Sequence, residues 1–232
     1  MKNLVFLALG LIILISISFL LFIPKGKKLE ENRRSAESGK DLEKRPEVTV
    51  NLKKGGEAKM SLLGTKALFV LAPKNFRDEE YQEPRKILEE YGAKIEVAAK
   101  GVKIAEGVMG VKIAVDKELS EVQVENYQAI IFVGGPGSSI YFDDTVALNL
   151  AKKAVEEGKI VGAICIAPSI LGNSGVLAGK RATAFSSEAG NLRAKGADYT
   201  GALVEVDGKI VTASGPEAAR EFGQKIAEKL RE

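Results

Sequence analysis

The chain of 232 residues contains no histidine and a single cysteine, Cys165. Each scarcity removes a class of chemistry. One cysteine rules out an intrachain disulfide. It also rules out a structural zinc site, which needs several Cys or His ligands. No calcium-loop pattern or histidine-bearing metal motif is present, and nothing in the sequence asks for a cofactor. Without imidazole, a nucleophilic thiol must be activated by some other group. An excess of charge of one sign is lacking too. The chain holds 34 Lys/Arg against 31 Asp/Glu, a net +3 that is not a nucleic-acid signature. That small excess is unevenly placed. Residues 25–60 carry 11 Lys/Arg and 7 Asp/Glu, whereas residues 61–232 carry 22 and 24.

One long apolar run is present. Residues 4–23, LVFLALGLIILISISFLLFI, are 20 uncharged residues, matching the ~20 that a membrane-spanning helix needs. The run exceeds the apolar region of a signal peptide, and no small-residue cleavage site follows it. The expectation is therefore an uncleaved transmembrane anchor within residues 1–24. Only Lys2 precedes the run, while Lys25, Lys27, Lys28, Arg33 and Arg34 follow it. By the positive-inside rule the remaining chain is then cytoplasmic, so a membrane-anchored protein with a cytoplasmic domain is expected, with export of the domain the alternative if the run acts as a plain uncleaved signal. Residues 25–64 read as a charged tether, with an alternation at Val48 and Val50 compatible with a short strand.

From Thr65 onward, apolar strands alternate with amphipathic helices. Strands are expected at 66–72, 94–98, 129–133 and 160–164, with helices at 79–91 and 143–158. Residues 101–115 read as short hairpin strands. A short helix follows Cys165 and ends near Gly172. Further strands are expected at 181–185, 202–206 and 209–213, and a closing helix at 216–231. Such alternation predicts a mostly parallel, doubly wound α/β sheet. Sites in these sheets form at the carboxyl ends of strands. Three segments fall there: Pro73–Glu80, Gly134–Ser139 and Cys165–Ser169.

Cys165 stands where a buried strand turns into a helix. The helix N–H groups and dipole favour a thiolate at that point; the plainer reading is a small buried apolar residue. Gly134-Gly135 after a buried strand lets backbone N–H groups approach a ligand, and with the Ile166 N–H they could form an oxyanion hole. The plainer reading is a turn, which Pro136-Gly137 also fits. Asp78, Glu79 and Glu80 open a helix, where carboxylates suit the dipole and need do nothing else. A buried one would have a raised pKa and, protonated, could donate a hydrogen bond to a thiolate.

Taken in order, the stretches KALFVLAPKNFRDEEYQEPRKILEEYGAKIEVA, YQAIIFVGGPGS, GKIVGAICIAPSILGNSGVLAGKRAT and VDGKIVTASGPEAAREFGQKI resemble the ThiJ/PfpI (DJ-one) superfamily over about residues 65–232. The resemblance implies a flavodoxin-like three-layer sandwich with Cys165 at a nucleophile elbow. It implies that Glu80, four residues before Pro84, is the glutamate beside the cysteine. It maps the oxyanion donors to Gly135 and Ile166, with Gly134 adjacent. It further implies a homo-oligomer and a small-molecule carbonyl substrate, turned over as by a glyoxalase or deglycase. The chain departs from the family where some branches carry histidine, at Ile166 and near Phe185. That disfavours a Cys-His peptidase or amidotransferase mechanism, even with a residue borrowed from an identical subunit. A redox-sensing thiol without turnover, and a non-catalytic binding domain, are the remaining alternatives.

Overall fold

A computed structural model describes residues 62–232. The strands in chain order are β1 (Lys66–Val70), β2 (Lys74–Phe76), β3 (Lys94–Ala99), β4 (Ile104–Gly107), β5 (Lys112–Ala114), β6 (Lys117–Glu118), β7 (Ala129–Phe132), β8 (Ile160–Ile164), β9 (Arg181–Ala182), β10 (Asp198–Tyr199), β11 (Val204–Asp207) and β12 (Ile210–Ala213). The helices are α1 (Asp78–Glu90), α2 (Thr145–Glu156), α3 (Pro168–Asn173), α4 (Ala189–Ala194) and α5 (Ala219–Leu230).

Seven strands form the main sheet in the order β11-β12-β8-β7-β1-β3-β6. All neighbours are parallel except the β11–β12 hairpin. Sequences such as AIIF in β7 and IVGAI in β8 are buried along their whole length. That is the pattern of parallel strands covered on both faces. Helices flank the sheet, and the protein is an α/β sandwich of the flavodoxin-like type. Chain direction across the sheet reverses at β1, with β3 on one side and β7 on the other. Ligands bind at such switch points, beyond the carboxyl ends of the strands. The ends of β1, β7 and β8 lie side by side there.

Several devices hold this edge. The Tyr141 hydroxyl donates to the Leu71 carbonyl just past β1 at 2.8 Å. Tyr81 of α1 packs edge-on against Phe69 and Phe76, with centroids 5.4 and 5.9 Å away. Pro84, inside α1, has no N–H for the Glu80 carbonyl. Its ring side lies against α5, where a side chain on Gly223 would come within 2.7 Å of the Pro84 Cα. Asp144 caps α2 by accepting from the Val146 and Ala147 N–H groups, both at 3.0 Å.

The structure departs from the sequence expectations in places. The strand expected over 181–185 is only Arg181–Ala182, and it pairs with β10 outside the main sheet. The three residues that follow are drawn elsewhere: the Thr183 N–H donates to Thr212 Oγ1, and the Phe185 N–H to the Cys165 carbonyl. Strands β2, β6 and β10 and helix α4 were not expected. The expected membrane-anchored localisation is corrected. Among the described residues no helix is long and apolar enough to cross a membrane. The longest of them, α1, has 13 residues, about 20 Å at 1.5 Å per residue against a hydrocarbon core of about 30 Å. Residues 4–23, and the strand considered near Val48, lie outside the described residues.

Candidate active site

Cys165 follows β8 directly and adopts φ 63°. Among the described residues only Asn75 is the other non-glycine with positive φ. A non-glycine residue in this region costs roughly 1 kcal/mol or more and needs outside support. The support is visible. The Cys165 N–H donates to the Ala213 carbonyl at 2.9 Å, and its own carbonyl accepts from the Phe185 N–H at 2.8 Å. The turn leaves the thiol half-buried, at the mouth of the switch point. Phe185, at the end of the segment that fails to continue its strand, supplies one of the two bonds that pin the elbow, and Ala213 the other.

Glu80 comes from the first turn of α1 and is fully buried. Neither of its carboxyl oxygens has a partner by strict hydrogen-bond geometry, although the Cys165 thiol and the Gly134 N–H are close enough to act on them. Burial pushes its pKa up to about 8. Burial, followed by a charged Glu80, pushes the Cys165 thiol up to about 12, against the pull of the Gly135 and Ile166 N–H groups. At neutral pH, however, Glu80 keeps its proton. The repulsion is then absent, and the carboxyl O–H becomes a donor to the sulfur. A single negative charge on the pair is better placed on the half-exposed sulfur facing two N–H groups than on a fully buried carboxylate facing one. Glu80 raised by burial is therefore the shift that governs the pair.

The glycines have distinct places. A Cβ on Gly134 would fall 2.5 Å from Glu80 Oε2 and 2.6 Å from the Cys165 Cβ, so only glycine lets the two side chains meet. Its N–H acts on Glu80, whereas those of Gly135 and Ile166 act on the sulfur. Gly135 has φ 91°, and a Cβ there would lie 2.4 Å from the Arg77 nitrogen. The Arg77 N–H in turn donates to the Gly134 carbonyl at 3.0 Å. Thus the segment after β1 is stitched onto the turn after β7. All five residues singled out from the sequence (Cys165, Glu80, Gly134, Gly135 and Ile166) converge, with Gly134 serving the carboxyl side of the pair.

Other residues were missed. Asp78 is nearly buried, and its carboxylate accepts from the Met109 and Val111 N–H groups at 2.8 and 3.2 Å. It clamps the β4–β5 hairpin onto α1. Ser169, fully buried one turn beyond Cys165, donates to Glu188 Oε2 at 2.6 Å and ties the 186–188 turn to α3. No local pattern signals either contact, because the partners are 31 to 33 and 19 residues away. Among the described residues, no group of three or more His, Cys, Asp or Glu is placed to hold a metal ion.

Comparison with known proteins agrees with this fold. The family model described as the DJ-1/PfpI family matches residues 65–229. An uncharacterized protein of Methanocaldococcus jannaschii is 38% identical over 173 residues, covering 73% of this chain and 84% of its own. A putative cysteine protease of Bacillus subtilis is 32% identical, over 72% of this chain and 99% of its own. A protein of Pyrococcus abyssi named a deglycase is 32% identical, over 64% and 90%. The crystal structure of a ThiJ/PfpI domain protein from Brachyspira murdochii superposes with a TM-score of 0.70 at 33% identity, over 71% of this chain and 95% of that one.

Proposed function

This chain belongs to the DJ-1/PfpI family, and from that premise we propose that it is a cysteine-dependent enzyme acting on small reactive carbonyl compounds, in the manner of a glyoxalase or deglycase. The observation that carries this reading is the Glu80 carboxyl, fully buried without a strict hydrogen-bond partner, beside a thiol held in a left-handed elbow. A structural carboxylate would be satisfied or solvated; a proton carrier needs to be neither. The name deglycase, borne by the Pyrococcus abyssi relative, points the same way.

The chemistry runs without imidazole. The Cys165 sulfur, as thiolate, adds to an aldehyde carbon, and the carbonyl π pair moves onto oxygen. That oxygen takes the proton of Glu80, giving a hemithioacetal and a Glu80 carboxylate. The N–H groups of Gly135 and Ile166 serve the thiolate before attack and the developing oxyanion after it. The new carboxylate can then take the proton from the former aldehyde carbon, giving an enediolate, and return it to the adjacent carbon of a dicarbonyl, while the hemithioacetal O–H proton passes to the oxygen on that adjacent carbon; a thioester and a hydroxyl result. Water cleaves the thioester to a 2-hydroxy acid and restores the thiol. The test is loss of methylglyoxal in the presence of the full-length chain. Turnover is expected for the native chain and none for Cys165→Ala; activity that survives the substitution overturns the reading.

A second reading is favoured by the half-exposure of the thiol: oxidation by peroxide to sulfenic or sulfinic acid, without turnover. Mass spectrometry after mild peroxide treatment tests it, and a thiol that stays unmodified counts against it. The protease name of the Bacillus subtilis relative does not carry over, because this chain has no histidine to pair with Cys165.

A further inference from the structure

Arg77 is the part of the site that the Cys165–Glu80 chemistry leaves unused. Its backbone is fixed to the turn that carries the Gly135 N–H, through the bond to the Gly134 carbonyl. Its side chain is 37% exposed, and its charge is felt at Glu80. The guanidinium meets one carboxylate, that of Glu79, itself 36% exposed. The fit is imperfect. Nη2 donates to Glu79 Oε1 at 3.2 Å. Nε approaches Oε2 to 3.0 Å, but the geometry is not that of a hydrogen bond. Both atoms are shielded from water and lack a well-aligned hydrogen-bond partner, although they face each other as an ion pair. An arginine fork half used by its neighbour, with an orphaned Nε–H, is built to take a better-aligned carboxylate. The Glu79 carboxylate stands where that group would bind, and a half-exposed pair of this kind is weak enough to exchange.

Resting on the reading of Cys165 as a reactive thiol, we propose that Arg77 is a specificity residue that makes the site prefer small carbonyl compounds bearing a carboxylate over neutral ones. Arg77 swaps Glu79 for the ligand carboxylate and brings the carbonyl to the sulfur. No bond beyond the thiolate addition described above is involved.

The chain's single cysteine makes the test unambiguous. Cys165 in the full-length chain is alkylated with iodoacetate and with iodoacetamide at one pH, and the ratio of the two rates is taken. The ratio cancels any change in the thiolate fraction. Arg77→Gln should lower the iodoacetate/iodoacetamide ratio about fivefold or more, the effect of one nearby charge. Glu79→Gln, which frees the guanidinium, should raise it. A ratio unmoved by both substitutions overturns the proposal while leaving the thiol chemistry standing. If neither reagent alkylates Cys165 in the native chain, the thiol reading falls and the proposal falls with it.

Discussion

Asp78 and Glu80 lie two residues apart in the first turn of α1, and both side chains are taken from solvent. Their surroundings are opposite. Asp78 faces the β4–β5 hairpin, where two backbone N–H groups meet its carboxylate. Glu80 faces the Cys165 elbow, where by strict geometry nothing meets it. The hairpin region gains stability from a buried carboxyl because its oxygens accept two backbone N–H bonds. The elbow region holds a carboxyl whose burial favours its protonated form. The same residue class, helix turn and burial thus give a structural clamp in one place and, in the function proposed above, a proton carrier in the other. What separates them is the supply of donors.

The largest test of that contrast is functional. Glu80→Ala should slow methylglyoxal turnover by ~10²-fold or more, the usual weight of a positioned proton donor. Asp78→Ala should leave turnover per folded molecule nearly intact. Its effect is on stability: leaving the Met109 and Val111 N–H groups without their acceptor should cost about 2–3 kcal/mol in urea unfolding. Amide exchange at those two positions should rise accordingly. Equal losses of activity in the two variants would erase the contrast.

The smaller test is pH. The folded pKa of Glu80, about 8, lies above its ordinary value of 4.5. Between these values the folded state binds a proton that the unfolded state has lost. Stability therefore falls as pH rises from about 4.5 to about 8, and the cost is complete above that. Glu80→Gln removes it. The variant should match the native chain near pH 4 and exceed it by on the order of 2 kcal/mol at pH 9, allowing for some water reaching the ionised carboxylate. A gain that is the same at both pH values would mean that packing, not ionisation, is responsible.

Much of this architecture was legible in the residues. The parallel sheet follows from uninterrupted apolar runs such as Ala129–Phe132, and the elbow from a strand ending at Cys165 before Pro168. Gly134 and Gly135 suggest close backbone approach to a ligand; in the structure a Cβ on Gly134 would collide with Glu80 and Cys165, and one on Gly135 with the Arg77 backbone. Glu80 was distinguishable from its acidic neighbours only through the family resemblance, since spacing alone made all three equal as dipole partners. What remained hidden depends on distant contacts. Residues 181–185 have the composition of a strand, yet Thr183 and Phe185 are captured by Thr212 and Cys165. The hairpin of residues 104–114 was foreseen, but not that Asp78 would hold it, because nothing near Met109 signals a carboxylate from α1.

The central claim is that Glu80 is neutral and donates to the sulfur when Cys165 is ionised. The rate of Cys165 alkylation by iodoacetamide, followed against pH in the native chain and in Glu80→Gln, tests it directly. Glutamine is neutral, like the protonated acid, and keeps a donor, so the midpoint should move by less than about one unit. A fall of about two units or more would mean that Glu80 carries a charge that opposes the thiolate, and would contradict the account.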